Sequence, residues 1–143
     1  MAFFVFILKC VHLQEPKSYY YDQKLILSGF AGTVVYYLLG WLVYGFLFPD
    51  LTSGDESTLG ILFGCLFYTF IFAVIFTRWV NMTSFKTGFY AGLTLGVLYT
   101  LSWHSFAYDG HFDWIDLIKQ TLIGALMTAF MAGTVSYVNG RVS

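Results

Sequence analysis

From Leu25 to Phe48 the chain reads LILSGFAGTVVYYLLGWLVYGFLF, with no charged side chain. Three more segments share that pattern: Thr58 to Thr77, Thr87 to Trp103 with an extension toward Tyr108, and Ile115 to Gly140 with Lys119 as its one basic residue. None alternates with the period of two that a barrel strand needs. A membrane-crossing helix takes roughly 20 residues, about 17 at the lower limit, and all four runs reach that length. The pattern predicts four transmembrane helices, over about 25–48, 58–77, 87–107 and 115–139. They form one all-α domain over residues 25–141, a bundle of antiparallel helices, because every connection is short. Residues 1–24 precede it as a cytoplasmic or interfacial arm. Its AFFVFIL stretch is too short to span and reads as an interfacial anchor or a mobile tail.

Charge orients the bundle. Lys9, Lys17, Lys24, Arg78, Lys86 and Arg141 fall on one side, six of the seven basic residues. Asp50, Asp55, Glu56, Asp109, Asp113 and Asp116 fall on the other, where Lys119 is the one basic residue. Lys and Arg resist translocation. Both termini are therefore expected in the cytoplasm and both acidic loops outside.

Turn chemistry agrees with these boundaries. Pro49 stops the first helix. Ser53 with Glu56 has capping-box spacing for the second, and Asp113 with Asp116 can cap the fourth. Trp79, Trp103, Tyr108, Trp114 and Tyr137 fall near helix ends, at the depth where amphipathic rings settle.

Composition closes off whole classes. Residues are 58% hydrophobic and only 10% charged, where a soluble domain carries about a quarter charged residues. A net charge of −1 leaves no basic stripe for a nucleic acid. Apart from Asp116 and Lys119 at the outer boundary of the fourth, the spans hold no acidic or basic side chain, which disfavours proton relays, selective ion channels and retinal proteins. Two cysteines, Cys10 and Cys65, form no metal pattern. GxSxG, HExxH and P-loop motifs are absent, so the expectation is a non-enzymatic protein without a cofactor. The NMT sequon at Asn81 lies on the side assigned to the cytoplasm and is discounted.

Small residues recur every four positions. Gly88, Gly92 and Gly96 do so in the third helix, and Gly124, Thr128, Ala132 and Ser136 beside Gly133 do so in the fourth. This helix-packing stripe lets backbones approach closely, where van der Waals contact drives association in lipid. A shift of 60 residues sets Gly32 on Gly92 and Gly64 on Gly124, a coincidence natural to so glycine-rich a chain.

The stretch WHSFAYDGHFDWIDLIK, residues 103–119, holds the densest polar chemistry. Asp109, His111 and Asp113 alternate and are candidate ligands for a divalent cation. The plainer reading, a solvated loop that caps a helix, is preferred, so no metal is expected. His104 lies about one turn inside the loop. It is either a structural hydrogen-bonding residue or part of an outer-side pocket with Trp41, Tyr44 and Trp103. A bis-histidine haem is ruled out by topology, since His12 and the pair His104 and His111 fall on opposite sides.

The Gly-Trp-x-x-Tyr element of Gly40, Trp41 and Tyr44, with VNGR closing the last helix, resembles small four-helix membrane proteins of bacteria. These are common in the Bacteroidetes and grouped only as domains of unknown function. The likeness covers roughly Leu25 to Arg141 and implies a bacterial inner membrane, with no activity or catalytic residue to transfer. The function expected is that of a membrane protein acting through helix packing, self-associating or serving as accessory subunit of a larger membrane complex. Its partners are then lipids, itself or that complex. The alternatives are a binder or carrier of a small hydrophobic molecule or lipid, and an oligomeric pore.

Overall fold

The computed structural model describes residues 18–48, 57–106 and 114–142, and the side chains of 22–48, 57–102 and 114–142. Described residues are helical almost throughout, without a strand. Helix α1 (Ser18–Leu42) continues as a π-helical turn over Val43–Leu47, and α2 (Thr58–Val74) as another over Ile75–Trp79. Helices α3 (Phe85–Phe106) and α4 (Trp114–Arg141) complete the chain.

Helix α1 begins at Ser18, earlier than the expected Leu25. The apolar run marks only what is hydrophobic, and SYYYDQK contains no Gly or Pro to halt a helix there. At its other end Phe48 leaves the helical region (φ −138°, ψ 61°), as a residue before proline must. Helix α2 begins at the expected Thr58. Ser57 occupies the N-cap without a side-chain hydrogen bond, and its carbonyl accepts from Ile61 N–H at 3.1 Å. Ser53 and Glu56, the expected capping box, lie outside the described residues, as do Asp50, Asp55, Tyr108 and the arm through Lys17.

Three helical stretches are long and apolar enough to cross a membrane: Asp22–Leu47, Thr58–Trp79 and Trp114–Arg141. Helix α3 is not among them, although its 22 residues give it the length. Gly88, Gly92 and Gly96, with Thr87, Thr94 and Thr100, dilute its apolar content. Its stripe of small residues is spent on one neighbour, α4. The outside of the bundle is apolar: Phe46 is 80% exposed, Trp79 76% and Phe67 68%. Such a surface suits an integral membrane protein, because lipid solvates it and water does not.

Helix α4 is central. It packs most extensively on α3, then on α1, and less on α2, while α2 leans on α1. The short α2–α3 connection does not make those two helices close partners, contrary to the expectation from loop length. Their contact includes the Tyr68 and Tyr99 rings, 5.3 Å apart. Along α4, Ala125, Thr128, Ala129, Ala132 and Ser136 are buried with Met131 and Val135. Across from them Phe72, Ala73 and Phe76 of α2 close the core. Gly32 lets α1 reach α4, since a Cβ there would stand 2.6 Å from Val135 Cγ2. The glycines paired by the 60-residue shift have unlike surroundings. Gly64 has nothing near it among the described residues, whereas a Cβ on Gly124 would lie 2.5 Å from Thr100 Cγ2.

Buried polar groups fasten helices where no charge is available. The hydroxyls of Thr33 (α1) and Thr69 (α2) lie 2.6 Å apart, each within reach of a carbonyl one turn back. Each carries one proton, so one hydroxyl donates across the interface and the other to its own helix. Asn139 of α4, 1% exposed, donates from Nδ2 to Met82 O at 2.8 Å and to Phe76 O at 3.4 Å. It thereby holds the turn in which Asn81 (φ 50°) ends α2 in the left-handed conformation.

At this same end Arg78 Nη2 donates to Asp22 Oδ1 at 2.8 Å. Both side chains are 47% exposed, so water and salt screen the pair. Asp22→Asn should cost less than about 1 kcal/mol in thermal unfolding of detergent-solubilised protein. A larger loss would mean that the pair lies in a less watery setting than its exposure indicates.

Candidate functional site

Two features stand out: the seam between α3 and α4, and a cavity at the end of the bundle where α4 begins. The seam gathers the predicted glycines. A Cβ on Gly88 would run into Ser136 Oγ and the Ala132 carbonyl, and one on Gly92 into Ala132 Cβ, with Thr128 O at 2.7 Å. On Gly96 it would stand 2.8 Å from Ala125 Cα. From the α4 side, Gly124 faces Thr100 and Gly133 faces the Phe85 ring, 2.7 Å from a built Cβ. All five glycines are buried. Backbone thus meets backbone along three turns of α3, an approach that Gly, Ala, Ser and Thr permit and larger residues forbid.

The cavity has a volume of about 210 Å3. Tyr36 and Tyr44 reach it from α1, Tyr99 and Thr100 from α3, Gln120 and Thr128 from α4. Gly124 and Met127 complete its wall. The Thr128 hydroxyl sits 3.3 Å from the Tyr68 hydroxyl and also hydrogen-bonds Tyr36. The Tyr36 and Tyr68 rings lie tilted against each other at 5.3 Å, and those of Tyr68 and Tyr99 at the same distance. Three tyrosines from three helices therefore bracket one threonine of the fourth.

Of the predicted outer-side pocket, Tyr44 lines this cavity. Trp41 does not: it is 65% exposed, and its indole rests beside Gly45 of its own helix. Trp103 and His104 belong to the last turn of α3, but their side chains lie outside the described ones. Asp109, His111 and Asp113, the candidate metal ligands, also lie outside the described residues. Among the described residues no three His, Cys, Asp or Glu side chains gather to hold a metal.

The cavity-lining Tyr36, Tyr99 and Gln120, and Tyr68 beside them, escaped the sequence reading as a group. They come from four different helices, and their convergence depends on how those helices rotate against each other. The π-helical turn at Val43–Leu47 adds to this, since i→i+5 bonding resets the facing of Tyr44 and Phe46. No protein-family model, curated protein or solved structure matches the chain.

Proposed function

We propose that this is a non-enzymatic integral protein of a bacterial inner membrane, acting through helix packing as a self-associating protein or accessory subunit of a larger membrane complex. All four helices span, with both termini cytoplasmic. The distribution of Lys and Arg supports that orientation. For α3, whose own composition falls short, the close cover by α4 supports insertion as a hairpin.

One observation carries the assembly reading. The seam glycines are consumed inside the bundle, but those of α2 are not. Residues 57–64, the first turns of α2, are exposed throughout, and Gly64 meets nothing within 4 Å among the described residues. Gly60 meets only Ser57 of its own helix. Two glycines four residues apart on an open apolar helix suit close approach by another helix in lipid.

Two measurements test this. In a background free of Cys10 and Cys65, single cysteines at Ser53 or Gly110 should be labelled from the periplasm and one at Ser84 from the cytoplasm. The reverse pattern overturns the orientation. Native mass spectrometry after gentle solubilisation should show an oligomer or a co-purifying subunit, which Gly64→Leu disperses while the protein stays folded. A wild-type chain that is monomeric and alone in every mild detergent overturns the assembly reading.

A further inference from the structure

The cavity at the end of the bundle carries hydrogen-bonding capacity that the protein does not use. The Gln120 carboxamide, with two donors and an acceptor, lines it and makes no hydrogen bond to a described residue. The Tyr99 hydroxyl makes none either, although its ring is held against Tyr68. Thr100 gives its one proton to Gly96 O at 2.8 Å and keeps its lone pairs for an incoming donor. No lining residue among the described ones is Asp, Glu, Lys, Arg or His. A charged group entering this site would lose hydration without meeting a counter-charge, which is costly. An uncharged group that both donates and accepts would meet matching partners.

Size narrows the class further. Cavities that enclose a whole drug-sized ligand measure roughly 300–1,000 Å3. At about 210 Å3 this one is smaller, enough for a head of a few polar atoms with its tail outside. We propose that the cavity binds the neutral, hydroxyl-bearing head of an amphipathic molecule, with Gln120 and Tyr99 supplying the hydrogen bonds and the tail left to the bilayer. The inference rests on the membrane reading and goes beyond the assembly reading.

Purified full-length protein is titrated with a medium-chain monoacylglycerol and, separately, with the fatty acid of equal chain length at a pH where it is ionised. Melting temperature and retained ligand, the latter by native mass spectrometry, are recorded together. The monoacylglycerol should raise the melting temperature, because a ligand of the folded state stabilises it by mass action. The fatty acid should bind at least about tenfold more weakly, the equivalent of one lost hydrogen-bonded contact. Gln120→Leu and Tyr99→Phe should each weaken the monoacylglycerol about as much while leaving the ligand-free melting temperature near wild type.

Equal binding of both amphiphiles would show partition driven by the tail and overturn the proposal. Undiminished binding by both variants, or no binding by the wild type, overturns it too. The same spectra separate this idea from the assembly reading. A monomer that retains monoacylglycerol sinks assembly alone, and an oligomer that retains none sinks the cavity ligand alone.

Discussion

Gly96→Leu should prevent α3 from seating on α4, and Gly96→Ala alone should destabilise the bundle by about 1–3 kcal/mol, the usual range for overpacking. A Cβ on Gly96 stands 2.8 Å from Ala125 Cα and 2.9 Å from Thr128 Cβ. Neither atom is the tip of a flexible side chain, so relief requires a helix to move. The same holds at Gly92, which faces the Thr128 carbonyl at 2.7 Å. Moving α3 outward would break contact along the most extensive interface in the fold. Gly64→Ala is the control. Nothing among the described residues lies within 4 Å of that Cβ, and Ala is favoured over Gly in a helix by up to about 1 kcal/mol, so stability should hold or rise. Thermal or SDS-induced unfolding in detergent reads all three. A Gly96→Leu protein that melts like wild type would refute the seam.

Asn139→Leu should rank next, at about 1–3 kcal/mol for each buried polar group left without its partner. Asn139 Nδ2 is the side-chain donor that reaches from α4 to the α2–α3 turn, with Met82 O at 2.8 Å. Leucine supplies no donor in a place that is 1% exposed, and the carbonyl it abandons has little water to replace the bond. The loss should be local as well as global. Trypsin should cut the solubilised variant at Arg78 or Lys86, which bracket the turn, faster than it cuts wild type. Unchanged cleavage together with an unchanged melting temperature would mean that the backbone of the turn, with Asn81 in its left-handed conformation, holds without Asn139.

The helices themselves were legible because hydrophobicity is additive along a chain. Thr58 as the start of α2 and the stop before Pro49 follow from residues within one turn of each boundary. The first turns of α1 were missed for the same reason inverted. Tyr19, Tyr20, Asp22 and Gln23 belong to a helix that an apolar count ends at Leu25. Glycine spacing in α3 announced a close approach but named no partner, since Gly88, Gly92 and Gly96 look alike whether they face α4 or another chain. The glycines of α2 show the other outcome: equal spacing, open surroundings.

Sequence alone therefore determined an all-helical chain of four segments and the stripe along which α3 would be approached. Both depend on side chains a few residues apart on one helix. Tertiary structure decided that α4 is the centre, that α2 and α3 are joined by a turn yet hardly packed, and that Tyr36 and Tyr68 meet Thr128 beside a cavity that Tyr99 and Gln120 also line. Those outcomes depend on the rotation of each helix about its axis, set by contacts such as Gly32 against Val135 and by the π-helical turns that reset the register. Residues 60 positions apart, such as Tyr68 and Thr128, carry no local sign that they will meet.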